Sequence, residues 1–108
     1  MDKITEQSPC PVTATMALIG GRWKAIILYV LSSRTLRFGE IAARIPTISR
    51  KVLTEQLKEL EADGLISRKQ YKEIPPRVEY SLTDLSRSLA PILDGMAAWG
   101  KQRALAAH

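Results

Sequence analysis

Two groups of residues in this chain of 108 carry chemistry that a packed core does not require. The first is Arg50 and Lys51, which follow Ser49 at the start of the run SRKVLTEQLKELEAD. At about 100° per residue, Leu53, Leu57 and Leu60 fall within about 40° of one another, with Ile48 leading into the same side. Lys51, Glu55 and Lys58 fall opposite, flanked by Thr54. The N-terminus of a helix is the positive end of its macrodipole, where an acid would stabilise by about 0.3–1 kcal/mol. Here the first turn holds two cations, and the acids Glu55, Glu59, Glu61 and Asp63 come later. An external anion resolves the mismatch, because free N–H groups, the dipole and both cations converge on it. Without such an anion the pattern is a solvated helix face that begins Arg-Lys. The second group is a single thiol, Cys10, followed by Pro11. At a helix N-cap a thiol pKa falls, so Cys10 is a candidate for reaction with oxidants or electrophiles. The alternative is a small apolar residue packed at an interface, since free cysteines are among the most buried residues.

The elements that must position these groups follow from the order of the chain. Residues 1–9 are polar without periodicity and read as a flexible arm. Cys10-Pro11 starts a helix carrying Val12, Met16 and Ile19, which Gly20-Gly21 stops. Residues 23–31, WKAIILYVL, are apolar almost all round and predict a central buried helix. Leu36-Arg37 can form a short strand before a helix over 38–45 with Phe38, Ile41, Ala42 and Ile45 inward. Pro46 pushes the residue before it out of the helical region, and Ser49 caps the next helix. Two helices joined by so short a turn are a helix-turn-helix, and Ser49 to Asp63 occupy its second, recognition position.

Gly64 ends that helix in a left-handed cap. A strand over 65–72, a connection containing Pro75 and Pro76, and an alternating strand over 77–82 predict a hairpin, the wing. Its cations Arg68, Lys69, Lys72 and Arg77 suit phosphate or minor-groove contacts, or serve as strand-edge charges that block pairing. Thr83 is expected to cap a last helix in which Leu85, Leu89, Ile92, Met96, Trp99 and Arg103 recur at heptad-like spacing, kinked at Pro91. That seam predicts a subunit interface, with packing inside the chain as the alternative. The fold class expected is mainly α with a small β-hairpin wing. It divides into an arm over 1–9, a winged helix-turn-helix over 10–83, and a dimerisation helix and tail over 84–108.

Composition narrows the function classes. Net charge is +5, and the basic residues outnumber the acidic ones six to three over residues 1–49 and seven to five over 50–77, so any patch must come from folding. No run approaches the ~18 apolar residues of a membrane span, and the N-terminus lacks the apolar core of a signal peptide, so a cytoplasmic protein without membrane contact is the expectation. One cysteine permits neither an internal disulfide nor a thiolate metal cluster. An enzyme is disfavoured: the only histidine is the terminal His108, no Asp/Glu cluster has ligand spacing, and no glycine-rich phosphate loop follows a strand. No cofactor or metal is implied. Trp23 and Trp99 read as core and interface residues that can line a pocket between subunits, and nothing selects a ligand for it.

CPV (10–12), GGRWK (20–24), RFGEI (37–41), IPTISRKVLTEQLKELEADGLI (45–66) and PPRVEYSLT (75–83) together resemble the HxlR-type winged helix-turn-helix transcriptional regulators. The likeness runs from Cys10 to about Trp99, and Ser86 departs from it, standing where the family commonly has glycine. The resemblance implies a homodimer on double-stranded DNA, usually a repressor at an inverted repeat, with first and last helices forming the interface. Val12, Met16, Leu89, Ile92, Met96 and Trp99 would then be interface residues. Some such regulators use a cysteine in the CPV position as a sensor, so a small electrophile or another small-molecule effector is a further expected partner. On DNA, Arg50 or Lys51 can pair with guanine, Ser49 and Thr54 can reach phosphate or a thymine methyl, and Lys58 the backbone. Arg37 either touches phosphate or braces the turn before Phe38. The competing reading is a winged-helix protein-interaction module that does not bind DNA.

Overall fold

Short-range capping sets the helix ends. In the computed structural model, which describes residues 10–106, α1 spans Pro11–Ile19 and α2 spans Lys24–Leu31. The expected arm over 1–9 lies outside the described residues, as does His108. Between α1 and α2 the chain bends by 78°, with Gly21 at φ +85. A Cβ on Gly20 would strike the Met16 carbonyl, which already accepts the Gly20 N–H. No described helix is long and apolar enough to cross a membrane.

Next come β1 (Leu36–Arg37), α3 (Phe38–Arg44) and α4 (Arg50–Ala62). Ser49 caps α4 by accepting the Val52 N–H at 3.1 Å. At the other end Gly64 takes φ +75, Leu65 N–H donates to Leu60 O, and Gly64 N–H donates to Glu61 O. This double bond pattern satisfies the last carbonyls and turns the chain toward the wing, with Leu60 and Leu65 both buried beside it. Leu53, Leu57 and Leu60 are buried as one stripe against a core that includes Ile27, Leu28, Leu36, Ile41 and Leu93.

Strands β2 (Ile66–Tyr71) and β3 (Arg77–Leu82) form the hairpin. Strand β3 is central rather than an edge: the order is β1-β3-β2, all antiparallel, with Leu36 opposite Tyr80 and Ile66 opposite Leu82. The wing is therefore the outer part of a three-stranded sheet.

Three expectations need correction. The expected last helix is two: α5 (Asp84–Arg87), capped by Thr83, and α6 (Ala90–Ala106). The 4-3-4 spacing continues across the break at Ser88-Leu89, and Pro91 sits in the first turn of α6, where a missing N–H costs no bond. Pro91 therefore follows the break and kinks nothing. Helix α2 is also not buried all round, since Ile26 and Tyr29 are exposed while Ile27, Leu28 and Leu31 face the core. The departure at Ser86 has a local account. Its fully buried hydroxyl accepts the Thr83 N–H at 3.0 Å and its own N–H meets Thr83 Oγ1 at 3.3 Å, closing a reciprocal cap on α5.

Candidate nucleic-acid interface

Helix α4 presents Arg50, Lys51, Thr54 and Lys58 on its exposed side, and its first turn contains no acid. Arg50 is held: its guanidinium lies 5.5 Å from the Phe38 ring, at the start of the preceding helix. The Thr54 hydroxyl donates to Arg50 O at 2.8 Å, so it meets an outside group only as an acceptor or through its methyl. The Ser49 oxygen is engaged by the cap and its proton stays free to donate. From behind, Lys24 Nζ, mostly buried, pairs with Glu59 at 2.7 Å and ties α4 to α2.

Arg37 is exposed, and its backbone N–H donates to Glu40 Oε1 at 2.8 Å. That bond, with Arg34, Arg37 and Arg44 nearby, holds the Glu40 carboxyl below its ordinary pKa. Glu40 thus braces the turn before α3 and leaves the Arg37 side chain outward. Helix α3 has its stabilising acid in the first turn, and α4 lacks one.

On the wing, Arg68, Lys69 and Lys72 are exposed, with Lys69 Nζ 5.0 Å from the Tyr71 ring. Arg77 differs. Its guanidinium stacks 3.8 Å from the Tyr71 ring and pairs with Glu73 at 2.9 Å. Its Nε, 3.8 Å from Glu79, is buried without a hydrogen-bond partner among the described residues. The residue expected to reach outward is engaged as a brace inside the wing. By contrast, Arg37, Arg50, Lys51, Lys58, Arg68, Lys69 and Lys72 make no ion pair among the described residues.

Between α4 and the sheet lies a cleft of about 370 Å³ lined by Phe38, Thr54, Lys58, Glu61, Arg68 and Tyr80. It brings the recognition helix and the wing to one surface. Sequence reasoning missed Phe38 there because it was assigned to the inward face, and Tyr80 because strand alternation alone does not bring it to α4; neither is fully buried.

Other exposed residues are apolar: Val12 and Met16 on α1, and Ile92, Met96 and Trp99 on α6, Trp99 at 67%. Leu89 differs from them: it is half-buried against the core, and Leu93, outside the expected seam, is the buried anchor of α6. Ile26 and Tyr29 line a groove of about 280 Å³ with Leu93, Met96 and Ala97. Trp23 packs against the core instead, under the Arg22 guanidinium at 4.5 Å.

Cys10 caps α1 in extended conformation, with Sγ 3.3 Å from the Thr13 hydroxyl. That hydroxyl is the main cause that holds the thiol below its ordinary pKa, and the Thr13 backbone adds to it against a smaller upward push from desolvation. Among the described residues no cluster of His, Cys, Asp or Glu is suited to a metal ion.

This arrangement of helix, turn, helix and wing has close counterparts. A family model described as HxlR-like helix-turn-helix matches residues 18–107. An uncharacterized HTH-type transcriptional regulator, BH0655 of Halalkalibacterium halodurans, is 48% identical over 91% of this chain and 88% of its own length. The HTH-type regulator YdzF of Bacillus subtilis is 46% identical over 93% of each chain. Among solved structures, the redox regulator HypR in its oxidized form matches with a TM-score of 0.82 and 46% identity, over 86% of this chain and 96% of that one. Diamide-treated YodB from B. subtilis matches with a TM-score of 0.71 and 39% identity, over 86% of this chain and 93% of that one.

Proposed function

The chain belongs to the HxlR-like helix-turn-helix family and is a transcriptional regulator of winged-helix type, and we propose that it works as a cytoplasmic homodimer that binds double-stranded DNA at an inverted repeat and represses there. The observation that carries this reading is the acid-free first turn of α4 with Arg50 and Lys51 exposed beside the wing cations. Free N–H groups, a dipole and two cations are an anion site, and a duplex supplies phosphates and guanine edges at once. Arg50, Lys51 and Thr54 read bases or adjacent phosphates. Ser49, Lys58, Arg37, Arg68, Lys69 and Lys72 hold the backbone, and Arg77 stiffens the wing. Val12, Met16, Ile92, Met96 and Trp99 join the two subunits, so that paired recognition helices meet half-sites about one helical turn apart or a multiple of it.

A mobility shift with DNA from upstream of the protein's own gene tests this. A dimer that neutralises roughly 6–10 phosphates loses about 10³–10⁵ in affinity between about 50 and 200 mM salt. A flat salt response, or a footprint on a single unpaired site, removes the reading.

Cys10 is the proposed sensor. Its support is the lowered thiol pKa beside Thr13 and the likeness to HypR, a redox regulator. Two Cys10 thiols, one from each subunit, give up two protons and two electrons to an oxidant and form one bridge. Alternatively a single thiolate is alkylated by an electrophile such as a quinone. Wild-type protein is expected to release DNA on treatment with quinone or hypochlorite and Cys10→Ser to stay bound. Equal release from both rejects the sensor and leaves Cys10 a packing residue, with induction by another small molecule.

A further inference from the structure

The cationic face leaves one residue of the wing unexplained. Ile74, at the turn between β2 and β3, is 102% exposed, the highest value for any large apolar side chain among the described residues. Its neighbours Lys72, Glu73, Pro75 and Pro76 are also exposed, so no local core receives it. Pro75 and Pro76 carry no N–H, and the segment cannot add to a neighbouring sheet edge. Directly beneath it the wing is stiff. Tyr71 and Arg77 form the last pair of the hairpin, the guanidinium stacks on the ring at 3.8 Å, and Glu73 clasps it at 2.9 Å. An isoleucine is thus held out on a braced stalk whose flanks carry Arg68, Lys69 and Lys72.

An apolar tip between cations is complementary to a narrow groove with anionic walls and an interior of sugar edges and stacked bases. That is the minor groove of duplex DNA, where isoleucine and proline side chains part a base step and kink the helix. A lipid surface would require a contiguous apolar patch, and Glu73 stands beside this single side chain.

Resting on the DNA-binding reading above, we propose that Ile74 is an apolar wedge that enters the minor groove beside each half-site and opens one base step. Isoleucine offers no hydrogen bond, so this contact reads deformability: pyrimidine–purine steps, which unstack most readily, are selected at a position where no side chain pairs with a base edge.

The test uses the full-length protein and duplexes it selects from a random-sequence pool. With 2-aminopurine placed at successive steps flanking the half-site, wild-type binding is expected to raise fluorescence several-fold at one step per half-site. That step is expected to be pyrimidine–purine in the selected pool. Ile74→Ser, at a fully exposed position, is expected to keep the wild-type melting curve and guanine protection in the major groove. It should abolish the fluorescence rise, erase the step preference and weaken binding about tenfold. Ile74→Met is expected to retain all three. An unchanged rise and affinity for Ile74→Ser overturns the wedge while the DNA-binding reading stands. A change confined to dimer assembly in sedimentation also overturns it and assigns the tip to a protein contact. Failure to select any DNA overturns both.

Discussion

Helices α4 and α6 both carry apolar residues at helical spacing, and they use them in opposite ways. In α4 the apolar stripe is consumed within the chain: Leu53, Leu57 and Leu60 are buried, and charge faces outward. Among the described residues of α6 only Leu93 is buried, while Ile92, Met96 and Trp99 stay exposed. The first helix is complete as a folded object and incomplete electrostatically. The second is the reverse. The contrast teaches that what each helix leaves unsatisfied is what supports the partner proposed for it, a polyanion for α4 and another apolar surface for α6.

The contrast breaks most sharply at the buried stripe. Leu57→Ala is expected to cost about 2–5 kcal/mol of stability at every protein concentration, because it opens a cavity at a residue 2% exposed. Met96→Asp with Trp99→Asp should instead shift melting only through dissociation, so the loss vanishes at high dilution, where wild type is also monomeric. Urea melts at two concentrations distinguish these cases, and equal concentration dependence would erase the distinction between the helices.

At the electrostatic end, replacing Arg50 and Lys51 by alanine should weaken specific DNA binding by roughly 30-fold to 2 × 10⁴-fold in a dimer that loses one base contact per subunit, at about 1–3 kcal/mol per contact. Stability should hold or rise slightly, since two cations leave the positive end of α4. A loss of stability equal to the loss of binding would mean that the pair serves the fold.

The smallest expected effect sharpens the comparison within the helix-turn-helix itself. Glu40 has its carboxyl pKa lowered on folding. Its contribution is therefore fully present above the ordinary carboxylate pKa and fades as pH falls through the lower folded value. Glu40→Gln should flatten that acid limb of a stability profile, and an unchanged limb would show that the Arg37 N–H bond adds nothing.

Legibility followed the range of the interactions. Ser49, Gly64 and the Leu53-Leu57-Leu60 stripe were readable because caps and periodicity act over three or four residues. The alternation of β3 was readable, but its central place was not, since a strand of two residues, Leu36-Arg37, carries no period. The split between α5 and α6 was hidden because heptad-like spacing runs unbroken across it, and the same spacing drew Leu89 to the outer face and missed Leu93. Within the candidate site, exposure of Arg50 and Lys51 followed from the helix face. The withdrawal of Arg77 did not, because its partners Tyr71, Glu73 and Glu79 meet it only once the hairpin has formed.

The place of β3 between β1 and β2 bears on the order of assembly. The recognition helix and the β2–β3 hairpin can form from neighbours in sequence, whereas β1 closes only when Leu36 finds Tyr80. Such closure comes late, because a long loop must be ordered before the contact rewards it. A nascent chain that has not yet emitted β3 therefore owns α4 without a wing beside it, and the cationic surface proposed to face DNA is assembled only after that strand has arrived.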